Sequence, residues 1–202
     1  MNGLPIDEIG FVFAKSKRQI APEAAASLVQ QVSELRAAGD RPPRAVGVFV
    51  DPAIEALQEV LASVRLQVVQ LHGQESPEHC RIIRESLGVQ VWKVFGIRGG
   101  SEEKAALDRL TPYAGAIDAA MIDTAGGGTG SAFDWSVMDD YKAAAANIGV
   151  PLYVAGGLHA DNVQDLIRQY QPDGVDVSSG VETDGMKDAA KIMKFVERVT
   201  TA

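Results

Sequence analysis

The residues best suited to chemistry fall in one stretch, residues 117–135, IDAAMIDTAGGGTGSAFDW. A short apolar run ends on Asp123, which places a carboxylate at the carboxyl end of a buried strand. Gly126, Gly127, Gly128 and Gly130 follow, and glycine lets a loop backbone take positive φ and approach a ligand closely. Asp134 stands where it can cap the next helix. Strand, acid, glycine loop and capped helix in that order suit the active-site edge of an α/β protein. The bland alternative is an ordinary strand-to-helix turn.

Further functional groups fall at the ends of other apolar runs. Arg18 lies in a basic loop with Lys15 and Lys17, after the run IGFVF of residues 9–13. It is either a ligand contact or a solvated charge. His72 follows LQVVQL, residues 66–71, and either lines a site or satisfies local backbone groups. Gly156-Gly157 follows PLYVA, and Ser178-Ser179-Gly180 ends the run that starts at Gly174. Two such clusters of small residues suit a phosphate cradle, in which backbone N–H groups and a short helix start face the anion. Asp176 alternates with apolar neighbours and is expected to point inward as a structural residue. Cys80 reads as a small buried side chain of a helix rather than a nucleophile. His72, His79 and His159 show no metal-ligand spacing, so no metal site is expected. No Lys-Ser/Thr pair follows the glycines, which excludes a Walker-type loop.

Elements must hold these groups in place. Strands are expected at residues 9–13, 45–50, 66–71, 89–95, 117–123, 151–155 and 174–178, each followed by a helix. Asp51-Pro52, Ser76-Pro77-Glu78, Asp134 and Asp161 are expected to cap or open helices, and Pro22 to start a helix running to about Ala37. In the final helix Ile192, Phe195, Val196 and Val199 form one stripe for burial. Apolar strands joined by crossover helices make a parallel sheet with a covered outer face. Two closures fit: an open doubly wound sheet or a (β/α)8 barrel. The seven βα units are one short of the barrel, and on a barrel all the strand-end groups would share one face.

The totals narrow the partners. A chain of 202 residues is expected to form a single domain, residues 1–202, with a substantial core. A net charge of −8 argues against nucleic acid and acidic membranes as main partners. The single cysteine allows no internal disulfide and fits a reducing, cytoplasmic location. No apolar run approaches the length of a membrane span.

Taken together, GFVFAKSKR, VGVFV, VVQLHGQESPE, VWKVFGIR, MIDTAGGGTGSAFDW, VAGGLHADNV and GVDVSSGVE resemble, in order and spacing, the phosphoribosylanthranilate isomerases of tryptophan biosynthesis. The resemblance implies a TIM (β/α)8 barrel that needs no cofactor. It also implies an Amadori rearrangement of N-(5-phosphoribosyl)anthranilate to 1-(2-carboxyphenylamino)-1-deoxyribulose 5-phosphate. On the same basis Asp123 is the general acid, its pKa expected to be raised by burial. Arg18 contacts the anthranilate carboxylate, to which its planar fork is matched. His72 lines the anthranilate side. Gly156, Gly157, Ser178, Ser179 and Gly180 bind the phosphate, and Gly127, Gly128 and Gly130 belong to the loop after the acid.

The chain also departs from the family pattern. Family members begin with a strand ending in a Cys-Gly motif, whose cysteine is the general base. Here Met1 to Glu8 aligns with the end of the helix after that strand, so the first βα unit is expected to be absent and the base unassigned. Three accounts are open: a start placed downstream of the true one, a short natural chain completed by dimerising or by a recruited peptide, or a barrel that binds sugar phosphates without isomerising them. Strand edges left unpaired would favour self-association. A broader isomerase acting also on the related histidine-pathway intermediate is the remaining alternative, against which the QLHG and FDW motifs argue.

Overall fold

The computed structural model describes residues 3–97, 105–124 and 133–202. Gly127, Gly128 and Gly130 lie outside the described residues. Strands and helices alternate along the chain, which divides into two compact units, Met1–Lys93 with Ala116–Asp118, and Val94–Gly115 with Ala119–Ala202. Seven strands are parallel and follow one another in chain order.

The first unit contains β1 (Glu8–Val12), α1 (Pro22–Ser33), β2 (Arg44–Phe49), α2 (Ile54–Ser63), β3 (Val68–Leu71), α3 (Pro77–Leu87) and the start of β4 (Gln90–Ile97). β1 pairs with β2 from Glu8 opposite Arg44, β2 with β3 from Val46 opposite Val68, and β3 with β4 from Val68 opposite Gln90. All four residues of β3 are buried, as expected of a parallel strand covered on both faces. Pro22 sits in the first turn of α1, and Ala25, Val29 and Val32 form its buried face. α1 ends at Ser33 rather than near Ala37, because the N–H groups of Glu34 and Leu35 turn to Gln31 and Val32, three residues back.

Ser76 caps α3 as expected, accepting from the His79 N–H at 3.2 Å. Asp51 does not cap α2. That helix starts from Ala53 with no side-chain cap, and the Asp51 carboxylate instead accepts from the Gln74 N–H at 2.6 Å.

The second unit contains the remainder of β4, α4 (Ala106–Leu110), β5 (Ala119–Thr124), α5 (Met138–Asn147), β6 (Leu152–Val154), α6 (Val163–Tyr170), β7 (Gly174–Val175) and α7 (Ala189–Thr200). β5 is buried from Ala119 through Asp123 and pairs with β6, Ala120 opposite Leu152. Asp134 caps the turn leading into α5, accepting from the Ser136 N–H at 3.0 Å. α6 starts from Asn162 without a side-chain cap, and Asp161 is drawn away into an ion pair with Lys194 at 2.9 Å.

β7 is shorter than expected. After Asp176 donates its N–H to Val154 at 2.8 Å, the chain leaves the sheet. Asp176 is exposed rather than buried. A two-stranded hairpin, β8 (Glu182–Thr183) and β9 (Met186–Lys187), follows. On α7 only Phe195 of the expected stripe is buried, and Ile192, Val196 and Val199 are half-buried.

Candidate active site

In the second unit three chain segments meet around Asp123. The residue is 6% exposed, at the carboxyl end of β5, where the strand's alternation and its apolar neighbours hold it fixed. Beside it runs the loop after β6. Gly156 has φ +87°, and a Cβ placed there would lie 2.5 Å from the Thr124 backbone nitrogen and 2.6 Å from Asp123 Oδ1. Only glycine lets this loop lie against the acid while taking a left-handed turn. Gly157 follows with φ +64°.

The loop after β7 packs in turn on the loop after β6. A Cβ at Gly180 would lie 1.9 Å from the Leu158 carbonyl oxygen, so the Ser178-Ser179-Gly180 segment packs directly on the Gly156-Gly157-Leu158 turn. The expected phosphate residues of the two loops are therefore brought together. Residues Ser179–Val181 form one 3-10 turn rather than a full helix, so its dipole is short and backbone N–H groups are its main means of holding an anion. Lys187, which the sequence reading missed, donates from β9 to the Ser178 carbonyl at 2.9 Å and pairs with Glu182 at 3.1 Å. Asp184-Gly185 between two short polar runs is the hairpin signal that would have revealed it.

In the first unit Arg18 is half-buried in the loop after β1, its N–H donating to Ser16 Oγ at 3.1 Å. His72 is half-buried directly after β3, its N–H bound to the Phe49 carbonyl at 2.8 Å. Both stand at carboxyl ends of parallel strands. At the same ends Phe13 and Phe49 stack with centroids 5.0 Å apart and line a cavity of about 790 Å³ with Lys15, Gln19, Val50 and Pro52. Arg18 is not among its lining residues.

Two charged side chains that the sequence reading passed over lie beneath His72. Lys93 of β4 and Glu75 form an ion pair at 3.1 Å, with side chains 3% and 0% exposed. Cys80, fully buried on α3 close to this pair, has its thiol pushed up to about 12, chiefly by burial. A thiol held protonated in this way is not a general base near neutral pH. Among the described residues no group of three His, Cys, Asp or Glu side chains is placed to hold a metal ion, and no helix is long and apolar enough to cross a membrane.

A buried acid at the end of a parallel strand, beside glycine loops that follow the next two strands, defines an α/β strand-end site suited to a phosphorylated small molecule. The family model for N-(5'phosphoribosyl)anthranilate (PRA) isomerase matches residues 2–198. The N-(5'-phosphoribosyl)anthranilate isomerase of Brevibacillus brevis is 46% identical over 200 residues, covering 97% of this chain and 85% of that protein. The phosphoribosyl anthranilate isomerase structure from Thermotoga maritima matches with a TM-score of 0.79 at 34% identity, over 97% of this chain and 89% of that one. A phosphoribosyl anthranilate isomerase in complex with reduced 1-(o-carboxyphenylamino)-1-deoxyribulose 5-phosphate matches with a TM-score of 0.76 at 33% identity, over 97% and 88% of the two chains.

The chain belongs to the N-(5'-phosphoribosyl)anthranilate isomerase family. Its function is phosphoribosylanthranilate isomerisation in tryptophan biosynthesis.

Proposed function

We propose that Asp123 is the general acid of an Amadori rearrangement carried out on this scaffold. The observation that supports this most is the burial of Asp123 at the end of β5 with Gly156 packed against its carboxylate. Asp123 protonates the ribose ring oxygen, the C1–O bond breaks, and the anthranilate nitrogen lone pair forms a C1=N bond. Removal of the C2 proton by a base then gives an enolamine, which tautomerises to the aminoketose. Arg18 holds the anthranilate carboxylate and His72 lines the aromatic end. Gly156, Gly157, Ser178, Ser179 and Gly180 bind the phosphate, and Gly127, Gly128 and Gly130 belong to the loop that follows the acid in sequence.

In the same proposal the 202 residues form one domain and supply seven of the eight βα units of a (β/α)8 barrel. The general base of this reading is the cysteine of the family's Cys-Gly strand. The protein acts in the cytoplasm on a phosphorylated small molecule, and the outer edges of β1 and β7 are its surfaces for self-association.

A second reading is binding of the sugar phosphate without turnover. Cys80, whose thiol burial holds protonated, is not the base in either reading. Isomerisation, followed by loss of substrate fluorescence with a Cys-Gly-bearing βα unit supplied, separates the two. Turnover that Asp123→Asn abolishes, while that variant still binds the reduced product analogue, supports catalysis. Near-normal turnover by Asp123→Asn removes Asp123 from the acid role.

A further inference from the structure

The structure assigns to Lys93 and Glu75 a positioning role: together they hold the backbone on both sides of His72. The Lys93 ammonium has three N–H donors and meets three acceptors, the Leu71 carbonyl at 3.4 Å, the Gly73 carbonyl at 2.9 Å and Glu75 Oε2 at 3.1 Å. Leu71 and Gly73 are the two neighbours of His72. Glu75 completes the clamp by accepting from the Gly73 N–H at 3.0 Å and from the Asp51 N–H at 2.8 Å.

Asp51 closes the ring from the next loop. Its carboxylate accepts from the Gln74 N–H, and a Cβ at Gly73 would lie 2.4 Å from Asp51 Oδ1, so a larger residue there would displace that carboxylate. Asp51 takes φ +45° to make these contacts, a left-handed conformation in which a non-glycine residue is strained.

A buried ion pair is a costly way to fill a core that apolar side chains would fill as well, and fixing one geometry is a use for which such pairs are kept in some proteins. Here the fixed element is the His72 turn at the end of β3, in the loop proposed to face the anthranilate ring. The inference rests on that proposed reading of His72.

The test compares the chain with its Lys93→Met and Glu75→Gln variants. Calorimetry follows binding of two probes, the reduced product analogue, which carries the aromatic ring, and inorganic phosphate, which does not. A positioning role predicts that Lys93→Met weakens the analogue on the order of 10- to 100-fold while phosphate affinity stays within about twofold. Glu75→Gln keeps the shape and an acceptor oxygen, and is expected to give a smaller loss of the same selectivity. It carries the test if Lys93→Met does not fold.

Folded variants that bind the analogue as the parent does overturn the assignment. Equal weakening of both probes also overturns it, because a generally loosened fold would do that. An unaltered chain that binds phosphate but not the analogue overturns the proposed function itself, a result separate from either of these.

Discussion

Gly156→Ala probes the junction on which the site depends, the contact between the loop after β6 and the end of β5. At φ +87° an added Cβ forces a left-handed conformation that costs about 1–2 kcal/mol. The same Cβ would sit 2.5 Å from a backbone nitrogen that cannot rotate away, and overpacking of this kind costs about 1–3 kcal/mol. Restricting the unfolded chain returns about 0.4–1 kcal/mol. The net expectation is a loss of about 2–4 kcal/mol, a large part of the roughly 5–15 kcal/mol that holds a domain folded.

Two companion substitutions separate the contributions. Gly149→Ala, at φ +72° with nothing within 4 Å of the added carbon, carries the conformational cost alone and should lose about 1 kcal/mol. Gly180→Ala has no positive φ but would place its Cβ 1.9 Å from the Leu158 carbonyl, and should lose about 2 kcal/mol from crowding. Urea unfolding monitored by circular dichroism gives all three values. If Gly156→Ala costs no more than Gly149→Ala, the loop does not press on Asp123 and Thr124, and the account of the acid's surroundings is wrong.

Arg18→Met should raise KM for the phosphoribosylated anthranilate far more than it lowers kcat, since it removes a carboxylate contact made in both ground and transition states; an unchanged KM in steady-state assays would mark Arg18 as a solvated charge. Cys80 should make the protein alkali-sensitive. Its thiol is pushed up to about 12 when folded from an ordinary value of 9.0, so above pH 9 the unfolded chain releases a proton that the folded chain keeps. Stability therefore falls as pH rises from about 9 to 12, by about 1.4 kcal/mol per pH unit, with no contribution from this group below pH 9. Urea titrations at pH 8, 9 and 10 should show that fall against Cys80→Ala, and parallel pH dependences would refute it.

Strand positions were legible because parallel strands write themselves as short apolar runs. Residues 66–71 and 117–123 each fall on an observed strand, and in both the candidate residue lies at or just after the strand's end. Caps were legible only where the competition was local. Ser76 and Asp134 cap as read, but Asp51 and Asp161 have their carboxylates taken by Gln74 and Lys194, partners distant in sequence that local pattern does not reveal. Lys93 had a signal that went unused. A lone ammonium inside the apolar run VWKVF must either reach solvent or find a buried anion, and Glu75 in the QLHGQE segment was the available one. The meeting of the loops after β6 and β7 through Gly180 and Leu158 was not legible at all, because it depends on how two turns pack rather than on what either contains.

The central claim is that Asp123 acts as the general acid of the proposed isomerisation. Its most direct test is turnover by Asp123→Asn beside the unaltered protein, each with and without a Cys-Gly-bearing βα unit joined at the N-terminus, with binding of the reduced product analogue measured for both. The account predicts that the variant binds the analogue and turns nothing over under conditions where the unaltered protein is active. Near-normal turnover by Asp123→Asn would contradict it, and no turnover by the unaltered protein in either form, with the analogue bound, would give the site to binding rather than catalysis.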